Sequence, residues 1–328
     1  GHPVRTLKDE NKEIQNRIDR ARKALEGGDE GAARDALGAV RVAATHYSWK
    51  GDLIYPLLKT KYGVSGPSDV MWGVDDEIRD ELGRLAKAET LDETWKKDVS
   101  AVLTRAEEMI YKENNILTPI CVQYFSDSEW ALISKELLAY APVAGERKAL
   151  PEAEAASQAA VDERVAKYAG NTENAGSDTS APADATASES AHSGDTAGIP
   201  VSADTRIELG REGHLTVREI AALLNTIPGE ISFVDENDIN RYFNAGAKLF
   251  KRPQMALDRE VYSCHPPKVE QMARAIIAEL RAGTKDKVSV PMVKAGKKVI
   301  VNYMAVRDEA GYVGTLEFVQ EVPEFPQM

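Results

Sequence analysis

Four helices expected in the first half of the chain each carry one polar residue on an otherwise apolar stripe. These residues are Asn11, His46, Asp75 and Glu113. Apolar residues flank each of them at steps of three and four, the spacing that stacks side chains on one helix face. Burying such groups without partners costs on the order of 2–7 kcal/mol for a neutral group and more for an ion. The four residues therefore either pair with one another or surround a ligand, and a metal centre inside a four-helix bundle is the first candidate.

The helices that would position these residues follow from apolar periodicity and from turn signals. Gly27-Gly28 separates the first helix from the second, and the glycine-rich run 63–67 ends the second. Short connections of this kind are typical of neighbouring antiparallel helices in a bundle. The sequence predicts helices over 4–25, 31–62, 68–89, 91–124 and 127–140.

A change in composition divides the chain after these helices. Between Ala169 and Gly198 there is no Leu, Ile, Val, Met or aromatic residue. Such a tract cannot bury enough apolar surface to offset its conformational entropy. We therefore expect three parts: a helical bundle over 1–148, a flexible linker rich in Ala, Ser and Asp over 149–205, and a second domain over 206–328.

The second domain has a mixed pattern of strands and helices. Alternating and β-branched runs predict five strands, and turn residues such as Ala295-Gly296 connect the last of them. An amphipathic run from Lys268 to Ala282 predicts one long helix. The fold class expected for the whole chain is multidomain, with an all-α four-helix bundle and an α+β domain. The expected strands are 231–234, 239–243, 286–293, 298–306 and 313–321.

Composition and missing motifs exclude several classes of protein. The net charge of −12 opposes non-specific nucleic-acid binding, which needs a basic surface. No segment approaches the ~20 unbroken apolar residues of a membrane span. The two cysteines, Cys121 and Cys264, lie in different halves, which excludes a disulfide framework. No phosphate-binding loop, nucleophile elbow or HExxH motif is present. We therefore expect a cytoplasmic, non-enzymatic protein that binds neither nucleic acid nor membrane.

Several longer strings resemble two known domain families. The strings LLNTIPGEISFVDENDINRYFN (223–244), CHPPK (264–268) and AVRDEAGYVGTLEFVQEV (305–322) resemble a PAS domain, with its five-stranded antiparallel sheet. The strings GHPVRTLKDEN (1–11), HYSWKGDLIYPLL (46–58), VMWGVDDEIRDEL (70–82) and EEMIYKENNILTPICV (107–122) resemble the hemerythrin-like, HHE cation-binding bundle. Together they resemble a bacterial family of unknown function that combines the two domains.

The resemblance implies that His and carboxylate side chains from all four helices ligate metal, but this chain departs from the pattern. Arg5 stands where the family has a second His, Gly51 where it has a Glu, and Asp75 where it has a His. A di-iron centre needs several imidazoles and bridging carboxylates, so these changes weaken it. The candidate metal ligands that remain are His2, His46, Asp75, Glu108 and Glu113.

We interpret the bundle as a degenerate hemerythrin-like domain, and other readings remain open. Arg5 paired with Asp75 or Glu113 would place a buried ion pair where the metal was. The remaining ligands could instead hold a single iron or other divalent ion weakly. A di-iron protein that handles oxygen, nitric oxide or iron, as in iron–sulfur repair, is the alternative function. If the site has decayed, combining Arg5→His, Gly51→Glu and Asp75→His should restore iron binding.

The PAS resemblance implies a second site, a small apolar pocket that holds an unknown organic ligand. Strand alternation assigns its lining with an uncertainty of one position, which would turn a side chain to the other face. We expect a sensor or adaptor that couples the bundle to a PAS domain binding a ligand or partner. The signalling partner is unspecified, and a homodimer through the PAS domain is left open. The expected lining residues are Phe233, Tyr242, Phe250, Val261, Ile276, Val290, Tyr303 and Phe318.

Overall fold

The computed structural model describes residues 1–169, 202–246 and 248–322. The chain forms two compact units, and each is described by itself. Gly1–Ala153 and Pro228–Met328 make up one unit, and Glu154–Ile227 make up the other. The first unit therefore contains both the helical bundle and the five-stranded sheet.

The N-terminal part of the first unit is a helical bundle, as the apolar periodicity predicts. Helix α2 is separate from α3 because the chain turns at Arg41 and Val42, so the helix predicted over 31–62 is divided. Side chains cap four of the helices at their first turns, with His2, Asp29, Asp92 and Ser126 as the N-caps. The helices are α1 (Pro3–Glu26), α2 (Glu30–Val40), α3 (Ala43–Trp49), α4 (Tyr55–Tyr62), α5 (Gly66–Leu85), α6 (Glu93–Lys112), α7 (Thr118–Tyr124) and α8 (Asp127–Glu136).

Two π-helical turns interrupt the long helices of the bundle. One, Lys50–Ile54, joins α3 to α4, and the other, Glu113–Leu117, joins α6 to α7. A π turn adds one residue to the local ladder, so it changes which side chains face inward. In α-helices such turns are frequent at functional sites. The first residue of each turn, Lys50 and Glu113, is fully buried.

Large apolar side chains fill the bundle interior around these turns. Trp49, Tyr55 and Leu53 have no exposed surface, and neither do Ile14 and Ile18 of α1. Burying a side chain of this size contributes roughly 1.5–3 kcal/mol relative to leaving it exposed. The polar residues of the interior are therefore enclosed by a dry, close-packed shell.

The C-terminal part of the first unit is an antiparallel sheet in the order β4-β3-β7-β6-β5. This order confirms the α+β domain predicted from the sequence. Helix α11 (Pro267–Arg281) packs against it, with Ile277 contacting Val234 of β3. The strands are β3 (Glu230–Asp235), β4 (Asn240–Phe243), β5 (Lys287–Lys294), β6 (Lys297–Asp308) and β7 (Gly311–Glu321).

Register fixes which side chains share a face of this sheet. Val234 lies on the face covered by α11, which we call the inner face. Ser232 pairs with Glu317 and Glu317 with Tyr303, so all three lie on the inner face as well. The intervening residues point to the opposite face, which we call the outer face.

The second unit contains most of helix α9 (Ala153–Ala169), a short hairpin and helix α10 (Val217–Thr226). Strands β1 (Arg206–Glu208) and β2 (His214–Thr216) form the hairpin. Thr216 and Glu219 form a capping box at the start of α10, which stabilises its first turn. Among the described helices, none is long and apolar enough to cross a membrane.

Limited proteolysis tests the expected linker, most of which lies outside the described residues. Its composition predicts cleavage between about residues 170 and 201. Because the bundle and the sheet belong to one compact unit, we expect the two fragments to elute together in size-exclusion chromatography. Fragments that separate without denaturant would contradict this expectation.

Candidate functional site: a buried charge network in the bundle

His46 lies at the centre of the bundle, fully buried, with a carboxylate on each ring nitrogen. Its Nδ1 is 2.9 Å from Glu10 Oε2, and its Nε2 is 2.7 Å from Glu113 Oε2. Carboxylates accept hydrogen bonds, so both nitrogens donate when the ring is an imidazolium. Burial lowers the pKa of His46, but the charge of Glu113 and the two hydrogen bonds outweigh it and raise the pKa overall. The two carboxylates therefore favour the imidazolium form of the ring.

Lys50 is the second cation of the network, and it has no exposed surface. Its Nζ lies 3.0 Å from Asp75 Oδ2 and forms an ion pair with Glu113 Oε1. The Tyr55 hydroxyl donates to Asp75 Oδ2 at 2.7 Å. The ammonium also lies 4.6 Å from the centroid of the Tyr47 ring. Lys50 thus joins the carboxylates of two different helices, α5 and the α6–α7 pair.

Arg147 closes the network at the carboxylate of Glu10. Its guanidinium forms an ion pair with Glu10 Oε1, and only 6% of the Arg147 side chain is exposed. Its remaining donors bond the carbonyl oxygens of Leu137 and Tyr140, both at 3.0 Å. Trp49 Nε1 donates to Glu10 Oε2 at 2.9 Å. Every oxygen of Glu10 is therefore bonded.

The charges of the network balance without any added ion. Burial raises the pKa of Glu113, but Lys50 and His46 outweigh it and bring the pKa to about 2. Burial raises the pKa of Asp75 to about 6 against the charge of Lys50. With His46 as an imidazolium, three carboxylates face three cations, and such internal pairing is what allows ionised groups to be buried. The anions are Glu10, Asp75 and Glu113, and the cations are His46, Lys50 and Arg147.

The structure brings three of the five candidate ligands together and leaves two apart. His46, Asp75 and Glu113 meet in the network. His2 lies exposed at the N-cap of α1, where its Nδ1 accepts from the Val4 amide at 3.2 Å. Glu108 is exposed on α6. Neither contacts His46, because both helix positions face away from the interior.

The predicted ion pair of Arg5 with Asp75 or Glu113 is wrong. Arg5 keeps 83% of its side chain exposed and lies 3.5 Å from Asp9, one helical turn away. The inward stripe of α1 runs instead through Leu7, Glu10 and Ile14. The buried cation that pairs with Asp75 and Glu113 is Lys50 instead.

Sequence reasoning missed both Lys50 and Glu10, although each had a signal. Glu10 follows Leu7 by three residues and Asn11 follows it by four, so both positions lie on the apolar stripe. Lys50 follows His46 by four residues and directly precedes Gly51, where the family pattern places a ligand. A charged residue on an apolar stripe is the pattern to search for, whatever its sign.

Comparison with protein-family models assigns both parts of the chain. A model of the hemerythrin HHE cation binding domain matches residues 2–121, and a PAS domain model matches residues 220–323. The chain is a hemerythrin-type bundle joined to a PAS domain. This confirms the two-domain resemblance of the sequence, and the two domain types fit a sensor-type protein.

Three solved structures similar to the chain each match about a third of it. A C-terminal domain from Streptococcus mutans is 38% identical over 37% of this chain and 94% of that chain, with a TM-score of 0.35. A LuxR-type receptor, VqmA of Vibrio cholerae, is 22% identical over 34% of this chain and 52% of that chain, with a TM-score of 0.28. A sensory box sensor histidine kinase from Vibrio cholerae is 9% identical over 32% and 90%, with a TM-score of 0.26. No curated protein matches the chain.

The residues at the centre of the bundle do not fit the metal that an HHE domain implies. A ligating imidazole must offer an unprotonated nitrogen, whereas both nitrogens of His46 face carboxylates. The two carboxylates that could bridge metal ions, Asp75 and Glu113, are bound by the ammonium of Lys50. Within the described parts of the chain, no group of three or more His, Cys, Asp and Glu side chains is arranged to hold a metal ion. The ammonium thus provides the positive charge between these carboxylates.

The PAS sheet divides the eight expected pocket residues between its two faces. Tyr303 and Val290 lie on the inner face, and Phe250 and Val261 pack against that side. Ile276 is buried on α11, where its neighbour Ile277 contacts Val234. The remaining three lie on the outer face, because register pairs Phe233 with Tyr242 and places Phe318 beside them. These three are Phe233, Tyr242 and Phe318.

Rings on the outer face cover two glycines of the sheet. A Cβ added at Gly314 would lie 2.9 Å from the Phe233 ring, and one added at Gly229 would meet the Phe318 ring. Aromatic side chains that pack over glycine in this way help to pin strand register. Phe233 and Phe318 therefore stabilise the sheet instead of lining the inner face together with Tyr303.

Asp52 of the first π turn is a half-buried carboxylate outside the network, and it predicts a measurable pH effect. The Tyr140 hydroxyl donates to its Oδ2 at 2.7 Å. Burial raises the pKa of Asp52 to about 6 from its usual 3.8, despite that bond and the charges of Lys294, Arg252 and Lys251. A carboxyl group whose pKa is higher in the folded state than in the unfolded chain stabilises the fold at pH values below its unfolded-state pKa. This contribution is lost as the pH rises from about 4 through 6.

Asp52→Asn should therefore stabilise the protein at neutral pH. The amide oxygen still accepts from Tyr140, and the cost of burying a charge disappears. We expect a gain of about 1–2 kcal/mol in the free energy of unfolding at pH 7.5 and almost none at pH 4, measured by urea titration. Asp75→Asn is the matched control, because it removes a charge that pairs with the buried ammonium of Lys50 and places an amide NH2 group against that ammonium. Equal effects of the two variants would contradict the assignment.

Proposed function

We propose that the chain is a non-enzymatic sensor or adaptor, in which the PAS domain receives the input and the bundle works without metal. One observation carries the proposal: the ammonium of Lys50 lies between the two carboxylates, Asp75 and Glu113, that a metal centre would need. The alternative, a di-iron protein that handles oxygen, nitric oxide or iron, requires those carboxylates and an unprotonated imidazole at His46. We therefore rank it second.

The inner face of the PAS sheet offers the polar groups that a small ligand needs. Arg252 forms an ion pair with Glu317 and donates to Ser232 Oγ at 2.9 Å. Tyr303 lies directly across from Glu317. Burial raises the pKa of the tyrosine, and the charge of Glu317 raises it further. Around these groups the inner face is apolar. A few convergent polar groups on an apolar surface are what orients a small ligand in its site.

His265 adds a further polar group on this side of the domain. Its Nδ1 lies 2.8 Å from the carbonyl oxygen of Val261, so Nδ1–H donates and Nε2 is an acceptor in the neutral ring. Burial lowers the pKa of His265, which favours that neutral form. We propose that the input is a small, neutral organic molecule that both donates and accepts hydrogen bonds.

Native mass spectrometry of the purified full-length protein tests the proposal. We expect part of the protein to carry a small organic molecule that is released on denaturation. The fraction of protein that carries this molecule should be lower in Tyr303→Phe. Lys297→Met on the adjoining exposed hairpin is the control and should retain the molecule. Retention of two iron ions per chain would overturn the proposal in favour of the di-iron alternative. A chain without any bound molecule would leave a scaffold with two interaction domains.

A further inference from the structure

One segment of the PAS domain reaches the interior of both domains. This segment, residues 249–256, is called the strap here. At its start Phe250 packs against the inner-face cluster of Val299, Val301 and Val319. The amide of Phe250 also donates to the buried carboxylate of Glu230 at 3.2 Å. The strap is therefore anchored in the PAS core.

Arg252 fixes the middle of the strap to two neighbouring strands. Its guanidinium pairs with Glu317 of β7, and its Nε donates to Ser232 of β3. Register places Ser232 directly opposite Glu317. Only 17% of the Arg252 side chain and 14% of the Glu317 side chain are exposed. A charge-assisted bond with little solvent around it holds this point of the strap firmly.

The far end of the strap lies in the bundle. Met255 is buried and packs in the same apolar cluster as the bundle core. The amide of Gln254 donates to the Glu136 carboxylate at the end of α8, at 2.8 Å. Lys251 lies 5.7 Å from the centroid of the Tyr140 ring, whose hydroxyl bonds Asp52 of the first π turn. Asp52 is two residues from Lys50.

The strap has little slack between its two anchors. Arg252 and Met255 are three residues apart, a span of at most about 10–11 Å when fully extended. Pro253 fixes one backbone torsion, and Gln254–Ala256 form a single tight helical turn. A displacement of Arg252 is therefore difficult to absorb within the strap.

We propose that the strap transmits changes at the inner face of the PAS sheet to the bundle. A change in the Arg252–Glu317 pair would move Gln254 and Met255, and with them the end of α8 and the contact between Tyr140 and Asp52. This inference rests on the proposed sensor function only in naming the inner face as the input. The mechanical link can be tested without any ligand.

Hydrogen exchange of the full-length protein under native conditions tests the link. Glu317→Gln removes the charge that holds Arg252, and we expect peptides covering residues 127–143 of the bundle to exchange about tenfold faster. Glu321→Gln is the matched control. It makes the same substitution four residues further along β7, in an exposed pair with Lys297, and should leave those peptides unchanged.

Removing the side chain that anchors the strap in the bundle should abolish the effect. In a Met255→Ala background, Glu317→Gln should no longer change exchange in residues 127–143. Should Glu317→Gln unfold the PAS domain, Ser232→Ala, which removes only the acceptor of Arg252 Nε, replaces it. The inference fails if Glu317→Gln and Glu321→Gln affect the bundle equally. It also fails if Glu317→Gln changes exchange in the PAS domain alone. Neither result would bear on ligand or metal content, so the proposed function is judged separately.

Discussion

Replacing Lys50 with methionine should lower the free energy of unfolding by about 3–5 kcal/mol at neutral pH. Methionine is unbranched and only one heavy atom shorter than lysine, but it leaves Asp75 and Glu113 as buried carboxylates without their shared cation. The loss should diminish as the pH falls toward 5, because the carboxylates can then take up protons. Urea denaturation followed by tryptophan fluorescence measures it, since all four tryptophans lie in the bundle.

Lys61→Met is the matched control for this substitution. Lys61 also forms an ion pair, 2.7 Å from Glu129, but 57% of its side chain is exposed. Exposed pairs contribute roughly 0–1 kcal/mol. If Lys50→Met were as mild as Lys61→Met, Lys50 would not be the central cation of the bundle.

Replacing Lys50 with histidine should convert the network into a zinc site. His46 and the new imidazole would be four residues apart on one helix face, the spacing at which two histidines bind zinc. Asp75 and Glu113, released from the ammonium, complete a four-donor set once zinc displaces the proton between His46 Nε2 and Glu113. We expect about one zinc ion per chain. We also expect a stabilisation of about 2.7 kcal/mol at a zinc concentration 100 times the Kd.

The combination Arg5→His, Gly51→Glu and Asp75→His is the contrasting variant. The family pattern suggests it, but Arg5 is exposed, and a Cβ at Gly51 would lie 3.0 Å from Nε1 of Trp72. Lys50 would also remain in the centre. We expect this variant to bind no metal and to be less stable than the wild type. The zinc content of each variant, and its free energy of unfolding with and without a chelator, test both expectations. A metal-free Lys50→His variant would show that the carboxylates do not converge on position 50.

Most of the fold could be predicted from the sequence, because apolar periodicity is a local signal. The stripe through Leu7, Ile14 and Ile18 gave the first helix within one residue at each end. The five strands followed from alternation and turn residues. What the pattern could not show was the pair of π turns, which change the inward phase by one residue at Lys50 and Glu113.

The candidate site was only partly predictable, because its composition depends on contacts between distant segments. His46, Asp75 and Glu113 were found since each interrupts an apolar stripe. Arg147 is 137 residues from Glu10 in the chain, and no local pattern relates the two. Lysine is not a metal ligand, so a search for ligands does not select Lys50, although its position on the stripe is visible in the sequence.

The PAS inner face shows a different limit of the sequence. Alternation along a strand identifies two faces but does not say which face is covered. Alternation therefore groups Phe233 and Phe318 with Tyr303, whereas the register of β3, β7 and β6 separates them. Cross-strand pairing, which a single sequence does not contain, is what resolves such a choice.

The metal content of the full-length protein, purified from cells grown with added iron, tests the central claim most directly. Elemental analysis and an absorption spectrum should be taken on the same sample. If the ammonium of Lys50 is the cation of the bundle, iron and zinc will each be well below one ion per chain, and no oxo-bridged di-iron absorption will be seen. Two iron ions per chain with that absorption would contradict the account and make the di-iron function the leading one.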